Sequence, residues 1–107
     1  NIIFCDPLGY LEFNYLVKNS LAVITDSGGI TEETTIMNIP CLTIRENTER
    51  PETISEGTNE LIGVNIKKFN SYFRKLFDGK WKSGKSPKYW DGKTGERIIN
   101  KLVELNE

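Results

Sequence analysis

Two short stretches hold the residue types that could do chemistry. Residues 25–33, "TDSGGITEE", follow the apolar run "LAVI" and set a hydroxyl, two glycines and two adjacent carboxylates close together. Residues 45–52, "RENTERPE", follow a second apolar run and carry Arg45 and Arg50. Glycines directly after a strand let the backbone turn sharply and let a ligand approach with no Cβ in the way. A helix starting at Gly28 and Gly29 would offer unpaired N–H groups and a partial positive charge, and Ser27 adds its hydroxyl. That combination suits a phosphate or diphosphate. The same residues also suit an ordinary tight turn, and the two readings stay open on these residues alone.

The glutamates add a second chemistry. A phosphate repels carboxylates, so neither Glu32 nor Glu33 should touch it. Glu33 lies more than a turn into the helix, where a carboxylate can accept from vicinal hydroxyls, as acidic residues do with ribose. Adjacent helical positions point about 100° apart, so the pair cannot face one ligand atom. One is expected to be ligand-bound or buried and the other solvated or paired. Both also fit as ordinary acids in the first half of a helix. Arg45 and Arg50 can meet phosphate or carboxylate groups bidentately, or form surface ion pairs on a capped loop.

Absent residue types narrow the field. The 107 residues include no histidine, which removes Ser-His-Asp triads and His-ligated metals. Cys5 and Cys41, the only two cysteines, sit 36 positions apart in apolar stretches. They read as small buried thiols in a reducing compartment rather than a zinc site. Fourteen basic residues face fifteen acidic ones, so no overall field calls for nucleic acid or an anionic membrane. No run approaches the roughly 18 apolar residues of a membrane span. The start, "NIIFCDPLGY", lacks the pattern of a signal peptide and has no initiator Met. It opens as a fragment of a longer chain would.

The elements that must position these groups follow from hydrophobic pattern. Strands are expected in "NIIFC" (1–5), "LAVIT" (21–25), "PCLTIR" (40–45) and "ELIGV" (60–64), each short and near-continuous, as strands buried on both faces are. Helices are expected between them. Tyr10, Phe13, Leu16 and Val17 mark one face of the first, and Ile30, Ile36 and Met37 mark the second. A third starts at Thr48 or Glu49 with Pro51 in its first turn and stops at Gly57. The clearest follows: Ile66, Phe69, Tyr72, Phe73, Leu76 and Phe77 share a face, Asn65 caps the start and Gly79 ends it. Residues 80–92, "KWKSGKSPKYWDG", read as a solvated basic loop or a weak contact for an anion. A last helix puts Ile98, Ile99, Leu102 and Leu105 on one side. Alternating strands and helices with short links give an α/β fold, a Rossmann-like parallel sheet with flanking helices. In such sheets ligands bind beyond the carboxyl ends of strands, where both chemical stretches fall.

"TDSGGITEE" followed by "IPCLTIRENTERPETISEGTNELIG" closely resembles the C-terminal part of UDP-N-acetylglucosamine 2-epimerases, over residues 1 to about 68, and "DGKTGERI" is similar to the family's last helix. The resemblance implies a glycosyltransferase-B-like architecture of two Rossmann-like domains. Residues 1–107 would be most of the C-terminal, UDP-binding domain, without the N-terminal one. It implies that Ser27, Gly28 and Gly29 hold the diphosphate, that Glu33 accepts from the ribose, that Phe13 and the backbone around Leu8 lie near the uracil, and that Arg50 reaches the nucleotide or sugar side of the cleft. Thr31 stands where the family often has Gln, Thr34 where Ala is common, and "MNIP" replaces a turn more like "LGKP". These departures are expected to lie beside the ligand contacts. The resemblance is not drawn over residues 69–90.

The reaction implied is interconversion of UDP-GlcNAc and UDP-ManNAc by loss and re-addition of UDP, or release of ManNAc and UDP in hydrolysing relatives. The partners are UDP-GlcNAc and UDP, with no cofactor, no nucleic acid and no membrane. A cytoplasmic, homodimeric full-length enzyme of cell-surface polysaccharide biosynthesis is expected, with catalytic carboxylates mainly in the preceding domain and the segment inactive alone. The alternatives are a sugar transferase of the same architecture, against which the "TERPE" loop argues, and a non-catalytic nucleotide-sugar module.

Overall fold

The computed structural model describes all residues, 1–107. Three short strands, β1 (Val23–Thr25), β2 (Cys41–Thr43) and β3 (Asn59–Leu61), form a parallel sheet in the order β1-β2-β3. Val23 pairs with Cys41 and Cys41 with Asn59, so the three strands start in step. The helices are α1 (Tyr10–Lys18), α2 (Gly28–Met37), α3 (Glu52–Ser55), α4 (Ile66–Phe77) and α5 (Thr94–Leu105). The result is a Rossmann-like parallel sheet with flanking helices.

The first expected strand does not form. Residues 1–9 have no regular structure, and Ile2, Ile3 and Phe4 are 83–92% exposed. A strand needs a ladder partner for its backbone groups, and β1 pairs only with β2. Full burial on both faces holds only for the central strand β2, whose three residues are all buried.

Side chains alternate across a strand, and β2 separates two different layers. Leu42 faces an apolar cluster with Ile62 and Leu76, against which Ala22, Phe69, Tyr72 and Trp81 pack. Cys41 and Thr43 face a layer of hydroxyls. The buried face of α2 is Thr31, Thr34 and Thr35, not the expected Ile30, Ile36 and Met37; Ile36 is 60% exposed. Threonine fits there because its hydroxyl can be satisfied within the helix. Thr31 Oγ1 donates to the Gly28 carbonyl at 2.6 Å, and Thr34 and Thr35 both donate to that of Thr31 at 3.1 and 2.8 Å. The departures at Thr31 and Thr34 lie in the core. Thr43 Oγ1 donates to Asn59 Oδ1 at 2.5 Å, Asn59 Nδ2 to Thr53 Oγ1 at 3.1 Å, and Thr53 Oγ1 to the Arg50 carbonyl at 2.8 Å. This chain of bonds runs from the sheet to the loop carrying Arg50.

The α4 ends are as the sequence implies. Asn65 Oδ1 accepts from Lys68 N at 3.0 Å. At the other end Gly79 adopts φ 64°, with Gly79 N–H on Leu76 O and Lys80 N–H on Lys75 O, a Schellman turn. On α1 only Val17 is buried; Tyr10 and Leu16 are 70% and 53% exposed. The third helix starts later than expected, at Glu52, with Pro51 just before it. Of the cysteines Cys41 is buried and Cys5 exposed, so the reading of two buried thiols holds only for Cys41. Burial pushes the Cys41 thiol up from its ordinary pKa.

Residues 80–92 are not simply a solvated loop. They cross the free edge of β3 and are tied to it. Trp81 Nε1 donates to the Thr58 carbonyl at 2.8 Å, and Lys82 Nζ reaches the carbonyls of Ile54 (2.7 Å) and Asn59 (2.5 Å) and the Glu60 carboxylate (3.0 Å). Gly84 passes so close to Gly57 that a Cβ on Gly84 would stand 2.8 Å from the Gly57 carbonyl carbon. The apolar side of α5 stays exposed, and no residue of that helix is buried. No helix is long and apolar enough to cross a membrane.

Candidate functional site

The carboxyl ends of β1 and β2 bring the two chemical stretches together. Helix α2 begins at Gly28 itself, two residues after Asp26, with Ser27 at its N-cap. Ser27 is well suited to cap, yet its hydroxyl makes no capping bond. The first N–H groups of α2 have no partner inside the helix. Thr25 Oγ1 instead accepts from Ser27 N at 3.0 Å and sets the approach of the chain. Neither Gly28 nor Gly29 has a positive φ, so the sharp turn expected of them is not what they supply. A Cβ at Gly29 would meet nothing nearer than Ser27 Oγ at 4.0 Å. A Cβ at Gly28 would lie 3.1 Å from Glu49 Oε2 and 3.4 Å from Arg45 Nη1.

The loop after β2 therefore lies over the start of α2. Arg45 grips Glu49 through both terminal guanidinium nitrogens, Nη2 to Oε1 at 2.6 Å and Nη1 to Oε2 at 3.1 Å. Glu49 is no helix start, as expected from sequence, but the anionic half of this pair. Its carboxyl is held below the ordinary range by Arg45, and the Arg45 guanidinium is raised above its own by Glu49. The signal for the pair was the i, i+4 spacing of opposite charges, which here closes on a loop.

Arg50 turns the other way. Its Nε donates to Glu32 Oε1 at 2.7 Å, while Glu33 takes no part in a side-chain hydrogen bond or ion pair. This pair borders an open cleft of about 420 Å³ that also has Glu52, Tyr89 and Trp90 in its wall. The two aromatic residues come from the basic loop, which the sequence offered only as a solvated loop or a weak contact for an anion.

Ser27, Gly28 and Gly29 open α2, Arg50 lies on the loop bonded to that helix through Glu32, and Glu33 follows further along the same helix with no side-chain partner. Leu8 and Phe13 are placed differently. Leu8 shares a shallow groove of about 480 Å³ with Leu11, Glu12, Tyr15 and Leu16. Phe13 is half-buried on another side of α1. The Leu8 groove includes neither Phe13 nor the glycine pair.

The sequence model for the family described as UDP-N-acetylglucosamine 2-epimerase matches residues 1–103. The chain is 45% identical over 98 residues to UDP-N-acetylglucosamine 2-epimerase of Methanocaldococcus jannaschii, an alignment covering 92% of this chain and 26% of that protein. It is 41% identical over 108 residues to the Campylobacter jejuni protein of the same name, covering 97% and 28%. Among solved structures, the Methanocaldococcus jannaschii UDP-GlcNAc 2-epimerase in complex with UDP-GlcNAc and UDP superposes with a TM-score of 0.74 at 43% identity, covering 94% of this chain and 27% of that one. The Neisseria meningitidis UDP-GlcNAc 2-epimerase bound to UDP-GlcNAc gives 0.72 at 30% identity, covering 94% and 28%. The chain spans about a quarter of the length of the relatives it matches.

Proposed function

The chain belongs to the UDP-N-acetylglucosamine 2-epimerase family, and from that premise we propose that it forms the UDP-binding part of an enzyme interconverting UDP-GlcNAc and UDP-ManNAc. Residues 1–107 are read as most of the C-terminal domain of a glycosyltransferase-B-like pair. The observation that carries the reading is the start of α2: a free Ser27 hydroxyl beside the unpaired N–H groups, on the carboxyl edge of a parallel sheet. A diphosphate seated there gains hydrogen bonds and the favourable end of the helix dipole.

Those donors also have a role in the reaction. Loss of UDP across C1–C2 of the sugar puts charge on the departing diphosphate, and donors fixed at α2 stabilise that charge without reorganising. Removal of the C2 proton needs a base. The base is assigned to another part of the full-length enzyme, so the 107 residues alone should bind UDP without turning the sugar nucleotide over. Glu33, unpaired on α2, is assigned to the ribose hydroxyls, and Phe13 and Leu8 to the side of the uracil. UDP-GlcNAc and UDP are the partners, and the full-length protein is read as a homodimer.

The test is turnover. Full-length protein incubated with UDP-GlcNAc and followed by NMR should give a mixture of UDP-GlcNAc and UDP-ManNAc, or free ManNAc with UDP. Transfer of the sugar to an acceptor, with no change at C2, would overturn the reading.

A further inference from the structure

The Arg45–Glu49 pair sets a carboxylate beside the start of α2, where the proposed ligand brings its own negative charge. Glu49 Oε2 is 3.1 Å and Arg45 Nη1 3.4 Å from the position of a Cβ on Gly28. The space left by the missing side chain of Gly28 is thus bordered by this ion pair. Glu49 takes no hydrogen bond from the N–H groups of α2; its bonds are with Arg45. Arg45 in turn is surrounded by acceptors: Glu49, Asn47 Oδ1 at 3.3 Å, and the field of Asp26. A guanidinium so placed would suit a phosphate bidentately, but its fork is already filled by a carboxylate.

Two negative groups cannot share this space cheaply. A diphosphate on α2 would face Glu49 across the breadth of one glycine, and like charges so close disfavour each other. The pair is exposed: the Glu49 side chain is 65% exposed and that of Arg45 28%. An exposed ion pair is weak, so a carboxylate on a flexible arm can swing away at small cost. Its departure would free Arg45 to take up phosphate oxygens in its place.

We propose that Glu49 tunes the affinity of the diphosphate site, as a resident carboxylate that a phosphate must displace from Arg45 before it can seat on α2. A nucleotide that carries phosphate meets this cost, and uridine, which carries none, does not. The resident carboxylate thus holds down the affinity for UDP and UMP and leaves that for uridine untouched. This inference rests on the reading of the α2 start as the diphosphate site.

The sign of the expected effect separates it from an ordinary contact, because removing a binding residue weakens binding and removing a competitor strengthens it. Affinities of full-length wild type, Glu49→Gln and Glu49→Ala for UDP, UMP and uridine would be measured by titration calorimetry, with thermal melts to confirm folding. Both variants should bind UDP roughly two- to fivefold more tightly, as expected for relief of an exposed charge contact. UMP affinity should rise too, and uridine affinity should not change. Unchanged or weaker UDP binding by the folded variants would overturn the inference, and so would an equal gain for uridine. If wild type bound UDP no better than uridine, the diphosphate site itself would fail, whatever the variants did.

Discussion

Arg50 and Glu32, 18 residues apart in sequence, meet through a 2.7 Å bond from Nε to Oε1 that ties the loop after β2 to the outer side of α2. Glu33, the next residue, forms no such pair. Of two carboxylates of identical type only one is thus paired, because one helical step turns them about 100° apart. On the proposed reading Glu32 holds the loop and Glu33 is free for the ribose.

Substitution should separate the two. In full-length protein Glu33→Ala should weaken UDP binding by about 1.5–3 kcal/mol, the cost of losing hydrogen bonds to a charged acceptor. Glu32→Ala removes only an exposed pair, worth about 0–1 kcal/mol. Calorimetric titration with UDP checks the order, and an equal loss, or a larger one at Glu32, would reverse the assignment.

Gly29 offers a cleaner test of the phosphate cradle than Gly28. Its φ is not positive and a Cβ there has open space, so Gly29→Ala should leave stability unchanged or raise it, by up to about 1 kcal/mol. UDP affinity should fall roughly tenfold, about 1.4 kcal/mol, with uridine affinity much less affected. At Gly28 the new methyl would press on the flexible end of Glu49, so its effects combine two causes. Unchanged UDP affinity in both variants would reduce the glycine pair to a helix start.

The hydroxyl layer should matter for stability. Asn59 is fully buried and joins Thr43 to Thr53. Asn59→Ala leaves the Thr43 hydroxyl without that acceptor and opens a small void, at a cost of about 1–3 kcal/mol. Urea denaturation of the full-length protein should show a lower midpoint with an unchanged slope. A midpoint equal to wild type would show that the network is idle.

Acid should weaken the corner that leads into α5. Arg97 pairs bidentately with Asp91, and it is chiefly Arg97 that lowers the carboxyl from its ordinary 3.8. A carboxylate whose folded pKa is depressed adds stability that is fully present above the unfolded value. That contribution is lost as pH falls through the folded one. Stability should therefore drop at pH values below 3.8 more steeply in wild type than in Asp91→Asn. Denaturation curves taken along an acid series test this, and parallel curves would refute it.

Local pattern was enough for the parts whose physics is local. The three strands that form, the α4 cap at Asn65, the αL stop at Gly79 and the two stretches beyond the strand ends were all legible, because period, capping and chain order act within a few residues. Motif spacing reached further and gave the family. What only the tertiary structure decided was which groups face one another. Hydrophobicity pointed to Ile30 and Ile36 as the inner face of α2. The inner face is Thr31, Thr34 and Thr35, because threonine satisfies its own hydroxyl on the helix and packs against β2 without leaving a polar group bare. Residues 1–5 have the composition of a strand but pair with no edge of the sheet, and composition alone does not decide which segments pair. The pairing of Glu49 with Arg45 over Gly28, and of Glu32 with Arg50, depends on how a loop folds back on a helix, and a charge in sequence does not name its partner.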